Sequence, residues 1–359
     1  CGATPEASAQ IWKDTIPDLS DAVYRWIAED GYTIRPKSEV KVDQPRRPLD
    51  AAAQRELDKS MLKSIESGAV RLWDTAAEGE PTWTTPVATV EKKDEAEAHR
   101  LITDFRAGNE QIAPWKVRFE RLAFLGASGA RVGHWAIAID FKSGYFALLM
   151  GPARFFCFKA RVKKSWLRKL QRQQDQAAGR ESVESDEVDE DDDWVEVTLT
   201  WTAMIMGMRN SAAVYTRLVR QVVRKWRRMG IAVLNYLDDS LITASTKPEL
   251  ERIIKIIVDD CEKLQLRLSF EKSILVPVQR LVWCGWLLDF STGLVHIENK
   301  KADKILQLIA TIREEHALNL HIPLRRLAKV LGKLVAASRA IRLSRRRRMI
   351  RSGAGGRAP

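Results

Sequence analysis

The chain of 359 residues is 45% hydrophobic, which predicts a globular protein with a well-buried core and excludes a wholly disordered chain. Its net charge of +12 favours a polyanionic partner such as nucleic acid, although charge alone is equally compatible with an ordinary basic surface. The four cysteines lack metal-ligand spacing, no apolar run is long enough to span a bilayer, and the N-terminus has no signal-peptide core. We therefore expect an intracellular protein, in the nucleus or the cytoplasm, without a membrane segment.

The first part of the chain contains few strong patterns. Residues 1–44 carry scattered apolar positions and are interpreted as a lead-in, and the missing initial Met indicates a fragment of a longer open reading frame. The spacing of Leu57, Met61 and Ile65 predicts a helix over residues 49–69. Two strands joined by a charged turn are then predicted from the segments TTPVATVEKK and HRLITDFR.

Two short apolar strands and a long charged segment follow. The strands are HWAIAIDF, in which Asp140 stands near the end, and RFFCFKARV. Residues 164–193 begin with a basic stretch and end with the acidic run ESVESDEVDEDDD, which has no apolar period. We expect a disordered surface insertion there, most simply a solvated loop.

The most regular part of the chain comes after this insertion. An amphipathic helix that ends at Gly230 is predicted from the segment SAAVYTRLVRQVVRKWRRMG. The strands IAVLNY and SLITA flank Leu237, Asp238 and Asp239, so the two carboxylates are predicted at the tip of a hairpin. A capped, isoleucine-rich helix comes next, and further strands and two helical segments complete the pattern.

The order of the central elements is strand, helix, hairpin, helix and strand, which suits a split βαβ sheet with helices on one face. Such a sheet brings the end of its first strand beside the hairpin, so Asp140 is expected to meet Asp238 and Asp239. Clustered carboxylates need neutralising cations, and hard oxygen ligands suit Mg²⁺. Two such ions about 3.5 to 4 Å apart support phosphoryl transfer, so a nucleotidyl transferase is implied.

The series of motifs resembles that of reverse transcriptases over roughly residues 45–335. ATVEKKDEAEAHRLITDFRAGN resembles the fingers hairpin, AIAIDFKSGYF the first carboxylate motif, and NYLDDSLITA the second. LSFEKSILVPVQRLVWCGWLLD resembles the lysine motif and primer grip, and with LAKVLGKLVAAS it looks most like LTR-type retrotransposons, particularly the DIRS-like group. The resemblance implies an α+β, right-hand polymerase with a split βαβ (ferredoxin-like) palm, β-rich fingers and a helical thumb.

The resemblance also implies how the chain divides into subdomains. An RNase H domain would be expected beyond about residue 340, where the sequence has only a basic tail, so the chain is interpreted as truncated. The expected ranges are a lead-in at 1–44, fingers at 45–132, the first catalytic palm strand with fingers strands at 133–163, an acidic disordered insertion at 164–193, palm with the YLDD hairpin at 194–275, primer grip at 276–298, thumb or connection helices at 299–341, and a basic tail at 342–359.

The roles of the family's functional residues can be carried to matching positions. The resemblance implies that Asp140, Asp238 and Asp239 bind two Mg²⁺ ions, with Mn²⁺ as an alternative, and that Lys272 protonates the leaving pyrophosphate. The residues expected to bind the incoming nucleotide are Lys92, Lys93, Arg100, Tyr145, Gly207 and Ser211. The residues expected to form the primer grip are Trp283, Cys284 and Gly285.

Several of these assignments have a simpler structural alternative. Lys92 and Lys93 are also what a charged hairpin tip would carry, and Lys272 is equally compatible with a surface lysine. Tyr145 is expected to lie beneath the sugar as a gate against a 2′-hydroxyl, but a core aromatic is its alternative.

Three functions are therefore in competition. The first is an RNA-directed DNA polymerase that extends a primer on an RNA or DNA template with deoxynucleoside triphosphates, and the second is an RNA-dependent RNA polymerase, which the Tyr145 gate argues against. The third is a decayed or domesticated remnant that binds nucleic acid without catalysis. Ile205 and Met206 replace the family's usual Pro-Phe or Pro-Gln, which favours the remnant, whereas the presence of all three aspartates argues against it. Template preference and oligomeric state stay open.

Overall fold

The computed structural model describes residues 5–29, 31–45, 48–91, 99–142, 144–177, 179, 193–318 and 320–346. The first elements in the chain are α1 (Pro5–Thr15), α2 (Asp21–Ala28), β1 (Tyr32–Thr33), β2 (Val42–Asp43), α3 (Ala51–Glu66), β3 (Val70–Leu72), α4 (Thr75–Glu78), β4 (Trp83–Thr84), β5 (Val87–Glu91), β6 (His99–Thr103) and α5 (Arg106–Gln111).

The later elements carry most of the predicted catalytic positions. In chain order they are β7 (Trp135–Asp140), β8 (Met150–Gly151), β9 (Cys157–Lys163), α6 (Lys164–Ala177), β10 (Trp194–Trp201), α7 (Ser211–Arg228), β11 (Ala232–Tyr236), β12 (Asp239–Ala244), α8 (Lys247–Lys263), β13 (Ile274–Val278), β14 (Arg280–Trp283), β15 (Trp286–Asp289), β16 (Leu294–Ile297), α9 (Asn299–Ala317) and α10 (Leu324–Arg346). None of the helices in the described ranges is both long and apolar enough to cross a membrane.

The chain divides into two compact units. The first unit comprises Cys1–Val117 and Ser143–Leu218, and the second comprises Arg118–Lys142 and Val219–Pro359. In the first unit, a sheet has the strand order β2-β4-β9-β10-β3, and its longest ladder is the antiparallel pairing of β9 with β10. The predicted hairpin is present, because β5 and β6 pair in antiparallel register.

The predicted lead-in contains regular structure at its start. α1 and α2 bury Ala9, Trp12 and Val23, and Ile16 and Leu19 between the helices are also buried. These five apolar positions are three or four residues apart, which is a helical spacing. Pro17 lies between the two helices, so this spacing is divided between two short helices and was not recognised as one helical period in the sequence.

The segment predicted as a disordered insertion also begins with a helix. α6 covers Lys164–Ala177 and buries Leu170, so the expectation of disorder over 164–193 is corrected for this part. The basic composition hid an amphipathic pattern in which apolar side chains face the sheet of the first unit. Most of the acidic run lies outside the described residues.

The second unit contains the predicted split βαβ sheet. Its strand order is β11-β12-β7-β13, and each neighbouring pair is antiparallel. In chain order these strands are second, third, first and fourth, which is the arrangement of a ferredoxin-like sheet. The sheet therefore places the C-terminal end of β7 beside the β11–β12 turn, as the sequence predicted.

Both faces of this sheet are covered within the second unit. α8 packs on one face, and the C-terminal half of α7 is bonded to it because the Trp226 indole N–H donates to Asp260 at 2.8 Å. On the other face, Ala136, Leu234 and Leu241 belong to a buried cluster with side chains from the antiparallel β14–β15–β16 sheet. Burial on both faces explains why these strands are almost continuously apolar.

The last described elements are the helices α9 and α10. They occupy the range assigned to the thumb, but α10 continues to Arg346 and thus enters the range assigned to a basic tail. Arginine is a good helix former, so a run of basic residues does not end a helix. The subdomain ranges themselves remain a prediction.

Candidate active site

Asp140 and Asp239 stand directly opposite each other in the second unit. Asp239 is the first residue of β12 and pairs with Asp140, the last residue of β7. On the other side of β12, Tyr236 pairs with Asp239, so Leu237 and Asp238 form the turn of the hairpin. The Phe141 backbone N–H donates to the Asp238 carbonyl oxygen at 3.2 Å and attaches this turn to the end of β7. Backbone pairing thus brings the three carboxylates together.

The backbone of Asp140 is held from both sides by the segment that precedes β13. Its N–H donates to the Ser273 hydroxyl at 3.1 Å, and its carbonyl oxygen accepts a hydrogen bond from the Ser269 N–H at 2.8 Å. Neither Ser269 nor Ser273 was predicted as a site residue from the sequence. Their positions close to Lys272, within the lysine motif, were the only indication that they lie near the site.

Burial and the neighbouring carboxylates raise the pKa values of Asp140 and Asp239. Burial raises the pKa of Asp140 above its ordinary value, the charge of Asp238 raises it further, and the ammonium of Lys272 opposes both effects. Burial, followed by the charges of Asp238 and Asp140, raises the pKa of Asp239 to about 6. Lys272 also lowers the pKa of Asp239, so this exposed lysine lies within electrostatic reach of the cluster. Its expected role as a proton donor remains a prediction.

The predicted primer-grip residues lie beside this cluster. Trp283 and Trp286 pair across β14 and β15, and Cys284 and Gly285 form the turn between them with φ values of +49° and +73°. The Cys284 thiol donates to the Asp239 carboxylate, with Sγ and Oδ2 3.9 Å apart. Burial and the neighbouring aspartates raise the pKa of this thiol to about 12, so it is protonated at neutral pH. The primer-grip role stays a prediction.

The Gly207 loop lies in the first unit, between β10 and α7. Gly207 has a φ of +103°, and a Cβ at this position would approach the Thr103 carbonyl oxygen to 3.0 Å. The Asn109 side chain holds the loop, because its Nδ2 donates to the Gly207 carbonyl at 2.8 Å and its Oδ1 accepts from the Arg209 N–H at 2.6 Å. Asn109 was not predicted as a site residue from the sequence. Its position at the end of the fingers motif was the only indication of a functional role.

Ser211 and Tyr145 also lie in the first unit. The Ser211 hydroxyl donates to the Ile205 carbonyl at 2.6 Å and closes the Gly207 loop at the start of α7. The Tyr145 ring is half-buried and its centroid lies 5.2 Å from that of Tyr215, which is itself fully buried in α7. The Tyr145 side chain therefore retains an accessible part, which a gate requires and a fully buried core aromatic lacks.

The predicted triphosphate-binding cations cannot be placed. Lys92 and Lys93 lie outside the described residues, between β5 and β6. The backbone of Arg100 pairs with Val90 in the hairpin, but its side chain is also outside the described part. Their contact with a nucleotide remains a prediction.

The carboxylate cluster has the donor chemistry of a divalent-cation site. Its ligands are hard oxygens, and the raised pKa values of Asp140 and Asp239 show a repulsion that a bound cation would relieve. Within the described ranges, however, no three His, Cys, Asp or Glu side chains are already arranged around one metal position.

Comparison with protein families gives a match over more than half of the chain. A family profile described as "Reverse transcriptase (RNA-dependent DNA polymerase)" matches residues 90–288. The Gag-Pol polyproteins of koala retrovirus and gibbon ape leukemia virus are each 22% identical over 210 residues, which are 57% of this chain and 11% of each polyprotein. The chain thus spans about a tenth of the length of these relatives.

Comparison with solved structures gives matches over almost the whole chain. The foamy viral protease-reverse transcriptase in complex with RNA/DNA hybrid has a TM-score of 0.58 and 15% identity, covering 90% of this chain and 39% of that one. Its dRH form in complex with double-stranded DNA has a TM-score of 0.59 and 16% identity, covering 91% of this chain and 52% of that one. At such low identity, these matches establish the fold.

Proposed function

Because the chain belongs to the reverse transcriptase family, we propose that it extends a primer on an RNA or DNA template by transfer of nucleotides from deoxynucleoside triphosphates. The observation that carries this proposal is the pairing of Asp140 with Asp239 at the β11–β12 turn, inside the range that the family profile matches. The low-identity structural neighbours contain nucleic acid duplexes, which supports a template–primer as the partner.

The two carboxylates at the strand ends, with Asp238 in the turn, would hold divalent cations, Mg²⁺ or Mn²⁺. When bound, such ions neutralise charge on the phosphates and favour the attack of a primer hydroxyl. Backbone pairing sets the positions of Asp140 and Asp239 before any ligand arrives, so little reorganisation of the main chain is needed. The ammonium of Lys272, which lies within electrostatic reach of Asp239, would donate a proton to the leaving pyrophosphate.

Selection of the nucleotide would rest on the first unit. The positive φ of Gly207 and the absence of a side chain there expose loop backbone, which suits a close approach by a base or sugar. The accessible part of the Tyr145 ring would exclude a 2′-hydroxyl. We place this activity inside the cell, where templates occur. The LTR-retrotransposon and DIRS-like assignments remain proposals, since the matched relatives are retroviral polyproteins.

The test is primer extension by the purified chain with matched RNA and DNA templates, deoxynucleotides and Mg²⁺. We expect templated products on RNA, with mismatched nucleotides incorporated poorly. Binding of the template–primer at the same protein concentrations should be measured by fluorescence anisotropy. Tight binding without any extension would contradict the polymerase proposal and support the non-catalytic remnant.

A further inference from the structure

The turn that carries Asp238 has a backbone conformation that its sequence does not favour. Leu237 has a φ of +56°, in the left-handed region. Glycine or asparagine is the usual residue there, because the Cβ of a bulky residue such as leucine is strained against the backbone at positive φ. Such a conformation persists only when surrounding groups hold it. The neighbouring contacts show which group does so.

Asn235 bonds directly to the carbonyl of this strained residue. Its Nδ2 donates to the Leu237 carbonyl oxygen at 3.0 Å and to the Ser240 hydroxyl at 2.9 Å. Asn235 is 3% exposed and Ser240 is 0% exposed, so water does not compete for these bonds. One buried amide therefore ties the last residue before Asp238 to the first residue after Asp239.

The backbone of Asn235 is itself anchored by an ion pair. Its N–H donates to Glu120 Oε2 at 2.8 Å, and this carboxylate accepts from Arg227 Nη2 at 2.7 Å to each oxygen. The Arg227 Nη2 also donates to the Val233 carbonyl at 2.8 Å. In the described sheet β11 is the outer strand, so these bonds satisfy backbone groups that would otherwise have no strand to pair with.

We propose that Asn235 is a positioning residue that fixes the aspartate turn, and that Glu120 and Arg227 hold the strand from which it acts. The geometric part of this proposal is independent of catalysis. Its catalytic part, that the fixed turn keeps Asp238 and Asp239 in a productive arrangement, rests on the proposed polymerase function.

The main variant is Asn235→Leu, which has a similar size but no hydrogen-bond donor. The matched control is Thr243→Val, which removes a buried hydroxyl from β12 at a distance from the turn. Asn235→Ala removes the same donor with a smaller side chain, and it replaces Asn235→Leu if that variant does not fold. Ser240→Ala removes only one of the two acceptors and should have a weaker effect than either.

The first measurement needs no activity. The Phe141 N–H donates to the Asp238 carbonyl, so its hydrogen exchange reports the position of the turn. In Asn235→Leu the Phe141 amide should exchange about tenfold faster, the factor expected for loss of the single bond to the Leu237 carbonyl that holds the turn. Thr243→Val should leave it unchanged. Equal protection in wild type and Asn235→Leu would overturn the proposal.

The second measurement is steady-state primer extension at a temperature where every variant is folded. Asn235→Leu should lower kcat by about a hundredfold, the cost of misplacing a reactive group, with an unchanged Kd for the template–primer. Faster exchange with a wild-type kcat would overturn the positioning role. If wild type itself does not extend primers, the polymerase function fails, and the exchange result alone decides the geometric proposal.

Discussion

The aspartate hairpin and the Gly207 loop are held by different kinds of bond. In the hairpin, the β7–β12 ladder places Asp140 opposite Asp239 through backbone groups, which remain when either side chain is changed to any residue other than proline. In the Gly207 loop, the Asn109 side chain bonds the backbone of both Gly207 and Arg209, although Asn109 lies 98 residues before Gly207 in the sequence. The pairing of Asp140 with Asp239 should therefore survive changes to those two side chains, whereas the turn depends on the Asn235 amide and the Gly207 loop on the Asn109 amide. Four variants test this difference.

The largest effect is expected for Asp238→Asn. It keeps the shape of the turn and removes one charge that would hold the cations, so extension should fall by roughly a thousandfold while template–primer binding and melting temperature change little. The control is Asp259→Asn, which removes an exposed aspartate paired with Lys263 on α8. Extension by Asp238→Asn at the rate of this control would rule out the catalytic role of the hairpin.

Tyr145→Ala tests nucleotide selection by the first unit, which also contains the Gly207 loop. If the accessible ring excludes a 2′-hydroxyl, the ratio of ribonucleotide to deoxynucleotide kcat/KM should rise by at least about tenfold. Tyr145→Phe keeps the ring beside Tyr215 and should leave the ratio as in wild type. A Tyr145→Ala variant with an unchanged ratio and a lower melting temperature would identify Tyr145 as a packing residue.

Asn109→Ala tests whether the Gly207 loop depends on one side chain. Loss of its bonds to Gly207 and Arg209 should raise the KM for deoxynucleotides by about fivefold, which corresponds to about 1 kcal/mol at this partly exposed site. Gln10→Ala removes an exposed amide that bonds Asp14 on α1 and serves as the control. Equal KM values for the two variants would show that the loop is held by other contacts.

Asp239→Asn should have the smallest effect, on stability in the absence of metal. Folding raises the pKa of Asp239 to about 6, above the value near 3.9 of an unfolded chain, so the protonated form stabilises the fold. In EDTA, wild-type stability should therefore fall as the pH rises from about 4 to 6.

The neutral amide of Asp239→Asn avoids the cost of a buried charge beside Asp238 and Asp140. At pH 7 in EDTA its melting temperature should exceed that of wild type by roughly 1 to 2 °C for each kcal/mol of that cost removed, and its dependence on pH in the acidic range should be weaker. Melting curves at several pH values measure both effects. A lower melting temperature for the variant would show that the charge of Asp239 stabilises the fold.

The hairpin could be predicted from the sequence because its signals are local. Apolar runs on either side of Leu237 and Asp238 indicated two strands and a tight turn, and the order of elements then placed Asp140 beside them. The Asn109 contacts could not be predicted in this way. A polar residue that bonds a loop 98 residues away leaves no period or spacing in the sequence.

The helices in the lead-in and at the start of the acidic insertion were not predicted, for related reasons. In the lead-in, Pro17 divides the helical pattern into short pieces, and in α6 the basic composition obscures the few apolar positions that pack. The overall composition of a segment reflects how much of its surface is exposed to solvent. A helix that packs on a larger unit needs only a narrow stripe of apolar side chains, which composition does not reveal. The positive φ of Leu237 could not be predicted from the sequence either, because the Asn235 side chain holds this conformation and leucine itself does not favour it.

Single-nucleotide primer extension on an RNA template, with deoxynucleotides and ribonucleotides compared in Mg²⁺ and in EDTA, tests directly whether the aspartate cluster catalyses DNA synthesis. We expect extension with deoxynucleotides in Mg²⁺, little extension with ribonucleotides, and none in EDTA. Preferential use of ribonucleotides would identify an RNA polymerase instead. A folded protein that binds the template–primer but extends it under none of these conditions would contradict the claim that the paired aspartates form a working catalytic centre.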